Sequence, residues 1–107
     1  SMVARKRRLA ARYEEAFGAL RGLRFLSEPP GTFSNYWLNS IVLDAPDEAL
    51  RDEVLATLND AGYMARPVWT LMHELPMYAE CPRMDLEVAE SMAARIVSLP
   101  SSAKLGD

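Results

Sequence analysis

The sequence has little of the chemistry that metal sites and many enzymes require. Its 107 residues include one cysteine, one histidine and two lysines. Because a structural zinc site usually has four cysteine or histidine ligands, Cys81 and His73 alone do not form one, and we expect no metal. A single cysteine also excludes an internal disulfide and fits a reducing compartment.

Long apolar runs are missing as well. No segment approaches the roughly 20 apolar residues that cross a bilayer, and the sequence does not open with a signal-peptide pattern. Neither a glycine-rich phosphate loop nor a Gly-x-Ser-x-Gly nucleophile elbow occurs. With 50% hydrophobic and 25% charged residues, the composition is that of an ordinary globular protein. We therefore expect one cytoplasmic domain, or part of one, that does not bind a membrane.

Positive charge is concentrated in residues 1–24. This segment carries seven basic and two acidic residues, a net charge of +5, whereas the whole chain has −3. Such asymmetry can mark an arm that binds nucleic acid. The four consecutive cations Arg5 to Arg8 would point to all sides of a helix, however, so we favour a solvated helix start and expect no nucleic acid as partner.

Hydrophobic spacing predicts that helices and strands alternate along the chain. The predicted helices cover residues 3–23, 47–61 and 85–95, and the predicted strands cover residues 36–43, 63–68 and 97–99. Residues 24–34 hold Pro29-Pro30-Gly31 and are predicted to form a loop. We expect an α+β fold, a small two-layer sandwich of about three helices on a three-stranded sheet, with strand 36–43 in the centre and strand 63–68 at an edge.

Most side chains that could recognise a polar ligand lie in residues 62–78, which read Gly-Tyr-Met-Ala-Arg-Pro-Val-Trp-Thr-Leu-Met-His-Glu-Leu-Pro-Met-Tyr. His73 is the candidate for a phosphate contact or acid–base role, although a lone histidine is more often a bystander. Arg66, if buried, needs an anionic partner, either a pyrophosphate or an internal carboxylate. Trp69 and Tyr78 can stack on a sugar or uracil ring, but core packing is the commoner role of such residues.

This stretch resembles the carboxy-terminal domain of the pyridoxal-phosphate sugar aminotransferases, the DegT/DnrJ/EryC1/StrS family. Asp-Leu-x-x-Ala-Glu at residues 85–90 and Leu-Pro-Ser-Ser at residues 99–102 belong to the same resemblance. The resemblance is greatest to the branch that aminates C4 of nucleotide-linked 4-keto-6-deoxy sugars. Enzymes of this branch, of perosamine or legionaminic type, serve polysaccharide biosynthesis. The fold it implies is the small domain of a fold-type I aminotransferase, with a connecting helix over residues 1–24 and an α/β core over residues 35–107.

The resemblance also implies roles for individual residues. Arg66, Trp69, His73 and Tyr78 become substrate-binding residues, and no residue of this chain becomes catalytic or cofactor-binding. The partners implied are a sugar nucleotide and glutamate as substrates, the parent enzyme's large domain and the second subunit of a homodimer.

The number and position of the lysines limit the chemistry that the chain can perform alone. Pyridoxal phosphate catalysis needs a lysine that forms a Schiff base, and the chain has only Lys6 in the basic helix start and Lys104 near the end of the sequence. Neither sits in a setting that would activate it. We therefore expect the large cofactor-binding domain to lie outside this chain, and the chain alone to be inactive and to bind no pyridoxal phosphate.

A second hypothesis belongs to a different class of function. The chain can instead be an autonomous protein-binding or dimerisation module, whose basic first helix docks on an acidic partner or on nucleic acid.

Overall fold

The computed structural model describes residues 1–107 and contains three helices and four strands. The helices are α1 (Met2–Gly18), α2 (Glu48–Asp60) and α3 (Glu87–Ala93), and the strands are β1 (Leu23–Phe25), β2 (Asn39–Leu43), β3 (Arg66–Pro67) and β4 (Ile96–Leu99). Short 3-10 helices cover Met72–Glu74, Pro76–Tyr78 and Ala103–Gly106. None of the helices combines the length and hydropathy that crossing a bilayer would require.

The four strands form one antiparallel sheet in the order β1-β2-β4-β3. The α+β class is confirmed, as are the central place of β2 and the edge place of β3. The central strand is shorter than predicted, because Tyr36 has a φ of 46° and this left-handed conformation turns the chain before the strand begins.

The sheet has four strands rather than the predicted three. The additional strand, β1, comprises residues that the sequence assigned to the end of a helix and the start of a loop. Leu23 pairs with Leu43, and Phe25 pairs with Ile41. Three residues are too few to show a period of two, so β1 is defined by its pairing with β2 and not by its own pattern.

Helices α1 and α2 pack on one face of the sheet. Residues paired across neighbouring strands share a face, so Phe25, Ile41 and Val97 lie together there, and all three are buried. The helical residues that pack against this core are Tyr13, Phe17, Val54, Leu55 and Leu58. The opposite face of the sheet is the one on which a cleft forms.

The cations of α1 bind oxygen atoms of this chain, so the prediction of a solvated helix start was wrong. On one side of the helix, Arg5 forms two hydrogen bonds with the Asp107 carboxylate, one of them 2.6 Å long. Arg8 donates to the Gly106 carbonyl at 3.0 Å, and Arg12 donates to the Leu105 carbonyl at 3.0 Å. The bonds from Arg5 hold the pKa of Asp107 below its ordinary value. The segment 103–107 is thereby fixed against α1.

Another part of the same helix fixes the loop between β1 and β2. Arg7 forms bonds of 2.6 and 3.0 Å with the Glu28 carboxylate and donates to the Ser34 carbonyl at 2.6 Å. Its guanidinium also lies 4.1 Å from the centre of the Phe33 ring. The bonds from Arg7, and one from the Ser34 amide, lower the pKa of Glu28 from 4.5 to about 2. The loop is thus held to α1 by charge as well as by packing.

Local capping chemistry sets the limits of α2 but not those of α3. Asp47 caps α2 by accepting a bond from the Leu50 amide at 3.0 Å, and Gly62 follows the helix with a φ of 90°. α3 begins at Glu87, later than predicted, because Asp85 accepts a bond from the Glu87 amide instead of occupying the cap position itself. It ends before Arg95, whose guanidinium donates to the Leu43 carbonyl at 2.8 Å and so joins the sheet.

Candidate functional site

The face of the sheet away from α1 and α2 forms an open cleft of about 960 Å³. Arg66 pairs with Ser98, and Ser98 pairs with Ser40, so these three residues make one row across β3, β4 and β2. The hydroxyls of Ser40 and Ser98 are 3.4 Å apart. Apolar side chains, among them Leu26 and Leu38, line the remainder of the cleft. The cleft therefore combines an apolar wall with a few convergent polar groups, as small-molecule sites do.

Arg66 is the cation of this cleft, and no carboxylate of the chain forms a salt bridge with it. Its guanidinium donates only to the Ala65 carbonyl at 3.1 Å and to the Asn59 side chain at 3.4 Å. Arg66 is exposed, so the burial that would require an anionic partner is not met, and the alternative of an internal salt bridge was wrong. Since a guanidinium has five N–H donors, Arg66 has donors left for an anionic ligand.

Trp69 also lines the cleft, and its side chain is 73% exposed. Core packing, the commoner role for a tryptophan, is therefore wrong for this residue. Its ring lies 6.2 Å from that of Trp37, measured between ring centres. The apolar pattern of residues 36–43 predicted a strand that included Trp37, and nothing in that pattern connected Trp37 with the cleft. An aromatic residue next to a turn was the only local signal, and it does not identify a neighbour 32 positions away.

His73 and Tyr78 line a second, smaller cavity of about 360 Å³. The imidazole is only 10% exposed, and its Nε2 lies 2.9 Å from a carboxylate oxygen of Glu90 on α3. Glu74 is the other acidic neighbour, at 3.9 Å. No hydrogen bond within the chain involves Nδ1 of this ring. The structure thus brings Arg66 and Trp69 together in one cavity, and His73 and Tyr78 together in another.

Of the two serines predicted only as part of a motif, Ser101 has a structural role at the end of the cleft. The Ser101 hydroxyl accepts bonds from the Asn39 amide at 2.8 Å and from the Asn39 side chain at 3.2 Å, and it donates to the Leu99 carbonyl at 2.8 Å. Asn39 is 1% exposed, so this hydroxyl satisfies polar groups inside the fold. Ser102 is exposed at the cleft rim.

The residues of this chain do not fit pyridoxal phosphate. Lys6 donates to two backbone carbonyls, those of Trp37 at 3.1 Å and Ser101 at 2.7 Å, so its amine is committed to holding the fold. Lys104 is exposed in the 3-10 helix Ala103–Gly106 and lines neither cavity. No group of three histidine, cysteine, aspartate or glutamate side chains is placed to hold a metal ion.

Comparison with known proteins gives this geometry a context. The profile of the DegT/DnrJ/EryC1/StrS aminotransferase family matches residues 1–107. The chain belongs to this family. GDP-perosamine synthase from Vibrio cholerae is 33% identical over 97 residues, which is 90% of this chain and 26% of the relative. The putative pyridoxal phosphate-dependent aminotransferase EpsN from Bacillus subtilis is 29% identical over 107 residues, 96% of this chain and 27% of the relative.

A solved structure has the same fold. The crystal structure of DesI in the presence of its TDP-sugar product is 29% identical and superposes with a TM-score of 0.81, over 95% of this chain and 26% of that one. The chain thus spans about a quarter of the length of the relatives that it matches, and the matched portion is their carboxy-terminal part.

Proposed function

We propose that this chain is the sugar-facing small domain of a pyridoxal phosphate-dependent aminotransferase that acts on a nucleotide-linked 4-keto-6-deoxy sugar. The observation that carries the proposal is the cleft, where Arg66 has unused donors and lies beside an exposed aromatic ring. The names of two relatives, a GDP-perosamine synthase and an enzyme crystallised with a TDP-sugar, support the substrate class.

Arg66 has the chemistry that a sugar nucleotide needs. Its planar guanidinium matches the oxygens of a pyrophosphate, and bonds from a charged donor to a charged acceptor are roughly twice as strong as neutral ones. The hydroxyls of Ser40 and Ser98, in the same row, suit the hydroxyls of a sugar. Trp69 supplies a flat apolar surface for a ring.

His73 and Tyr78 contribute from the second cavity. Glu90 occupies Nε2 of His73, so Nδ1 is the ring nitrogen left for a ligand. We assign His73 to substrate binding rather than to catalysis, because a fixed imidazole with one free nitrogen suits a hydroxyl or phosphate contact.

The remaining parts of the enzyme lie outside this chain in our proposal. A large domain supplies the lysine and the other groups that hold pyridoxal phosphate, glutamate donates the amino group, and two copies of the whole protein form a cytoplasmic homodimer. Pyridoxal phosphate supplies the electron sink for transamination when it is bound there. The alternative, a module whose basic first helix docks on an acidic partner, has weaker support because Arg5, Arg7 and Arg8 already bind internal oxygens.

The experiment compares two half-reactions in the full-length protein. Arg66→Ala and His73→Ala each remove hydrogen bonds that involve a charged group, worth about 1.5–3 kcal/mol, which is roughly 10- to 150-fold in the Michaelis constant for the sugar nucleotide. Since these contacts exist in the ground state as well, the half-reaction with glutamate should hardly change.

Leu58→Ala is the matched control, because Leu58 packs on the core and lines neither cavity. It should lower the free energy of unfolding by about 2 kcal/mol and reduce both half-reactions together through loss of folded enzyme. If Arg66→Ala and His73→Ala left the sugar affinity intact while destabilising the fold, both residues would be structural and the proposed site would be wrong.

A further inference from the structure

Two tryptophans stand side by side at the edge of the cleft. Trp37 is 64% exposed and Trp69 is 73% exposed, and the planes of their rings are tilted by 36°. They are the only tryptophans of the chain. Two adjacent exposed rings offer a flat apolar surface on which an aromatic ligand can stack, so the pair is a candidate binding surface.

The two rings differ in how firmly their backbones are held. Asn35 accepts a hydrogen bond from the Trp37 amide at 2.9 Å, and Lys6 donates to the Trp37 carbonyl at 3.1 Å. The same lysine donates to Ser101 at the end of the cleft. The residue before Trp37 is Tyr36, whose left-handed backbone few non-glycine residues adopt, and its hydroxyl accepts a bond from the Glu28 amide at 2.9 Å.

Trp69 has no such support from its own backbone. It lies between the end of β3 and the 3-10 helix Met72–Glu74, in residues without regular secondary structure. The aromatic ring that pairs with the Trp69 side chain is that of Trp37.

We propose that Trp37 is a positioning residue that braces Trp69 for stacking on the nucleobase of a sugar nucleotide. The inference rests on the proposed function and deepens it, since it assigns the base end of the ligand to this edge of the cleft. A nucleotide presents a flat aromatic ring next to an anionic pyrophosphate, and the cleft presents Trp69 beside Arg66, which has no carboxylate partner. Trp69 is 73% exposed, so most of its surface is open to a base while the Trp37 ring lies 6.2 Å from it between ring centres.

The test measures binding to the full-length protein by calorimetry, with GDP, UDP and TDP as probes and inorganic pyrophosphate as the comparison. Stacking of a base on an aromatic side chain corresponds to roughly 5- to 150-fold in affinity, so Trp69→Ala should weaken binding of at least one nucleotide by that factor. Loss of one aromatic pair corresponds to about two- to tenfold in affinity, so Trp37→Ala should weaken nucleotide binding by that factor. Neither variant should change the affinity for pyrophosphate, which has no base to stack.

Trp37→Phe separates bracing from a general structural role. A phenylalanine can still pack on Trp69, so this variant should recover most of the nucleotide affinity and bring the Michaelis constant for the sugar nucleotide back near its original value. Tyr63→Ala is the matched control, because Tyr63 is a 60% exposed aromatic residue that lines neither cavity. It should leave nucleotide binding as it was.

Three results would overturn the inference. Equal nucleotide affinity in Trp37→Ala, Trp69→Ala and the unchanged protein would exclude stacking. Equal weakening of pyrophosphate binding would show a structural effect. The fluorescence of this pair is the signal that the double variant Trp37→Phe, Trp69→Phe lacks. If iodide failed to quench that signal in the unchanged protein, a protein surface would cover the two rings. A wrong proposed function would instead appear as absence of transamination with every nucleotide-linked keto sugar in the unchanged protein.

Discussion

Gly106→Ala tests whether the segment 103–107 is as closely packed on α1 as the structure shows. Gly106 is buried, and a Cβ atom added there would lie 1.9 Å from the Arg5 carbonyl oxygen, well inside any allowed contact. Because the neighbour is helix backbone, it cannot turn away as a side chain can. Overpacking typically costs about 1–3 kcal/mol, so we expect the melting temperature of the chain to fall by roughly 4–20 °C.

Gly18→Ala is the matched control for this substitution. Gly18 is the last residue of α1, and an added Cβ there meets no atom within 4 Å. Alanine is favoured over glycine in a helix by roughly 0.5–1 kcal/mol, so this variant should be unchanged or slightly more stable. Thermal unfolding followed by circular dichroism distinguishes the two. If Gly106→Ala melted like Gly18→Ala, the close docking of the segment on α1 would be refuted.

Two further predictions concern acid and association. The Arg7 hydrogen bonds hold the pKa of Glu28 at about 2, below its ordinary 4.5, so the stability they provide is fully present above about pH 4.5 and is lost as the pH falls through about 2. Glu28→Gln should lower the melting temperature near neutral pH and make it depend less on pH between about 4.5 and 2. If the melting temperature of this variant fell with acid as it does in the unchanged protein, the Arg7–Glu28 pair would not have this role. Large apolar side chains outside the two cavities, such as Met84 and Val88, are exposed, so we expect the isolated chain to form dimers or larger oligomers in light scattering, whereas a monomer at high concentration would count against a covering domain.

The elements that the sequence predicted well are those specified by neighbouring residues. Asp47 and Gly62 bracket α2 with a side-chain cap and a left-handed turn, and both signals are local. Strand β1 was missed because its three residues become a strand only by pairing with residues about 18 positions later. The left-handed Tyr36, which shortens β2, is equally invisible to a pattern of apolar residues.

The residues of the candidate site also differ in whether a local signal in the sequence identifies them. Residue type and resemblance identified Arg66 and Trp69, which the fold brings into one cleft. Trp37 was not found, because its relation to Trp69 depends on a turn and on a lysine bond from α1. Likewise, the sequence gives no sign that Glu90 on α3 meets His73, since the two are 17 positions apart on different elements.

The bonds from α1 to the segment 103–107 bear on the order in which the domain folds. Arg12 and Leu105 are 93 positions apart, and Arg5 and Asp107 are 102 apart, so these contacts close nearly the longest loops that the chain allows. Contacts between residues so far apart in the sequence form late, because the chain loses conformational entropy before the contacts stabilise it. During synthesis, the cations of α1 that bind this segment meet their oxygen partners only after the sheet and the other two helices have been made. The contacts between α1 and the segment 103–107 therefore close the domain after its core is in place.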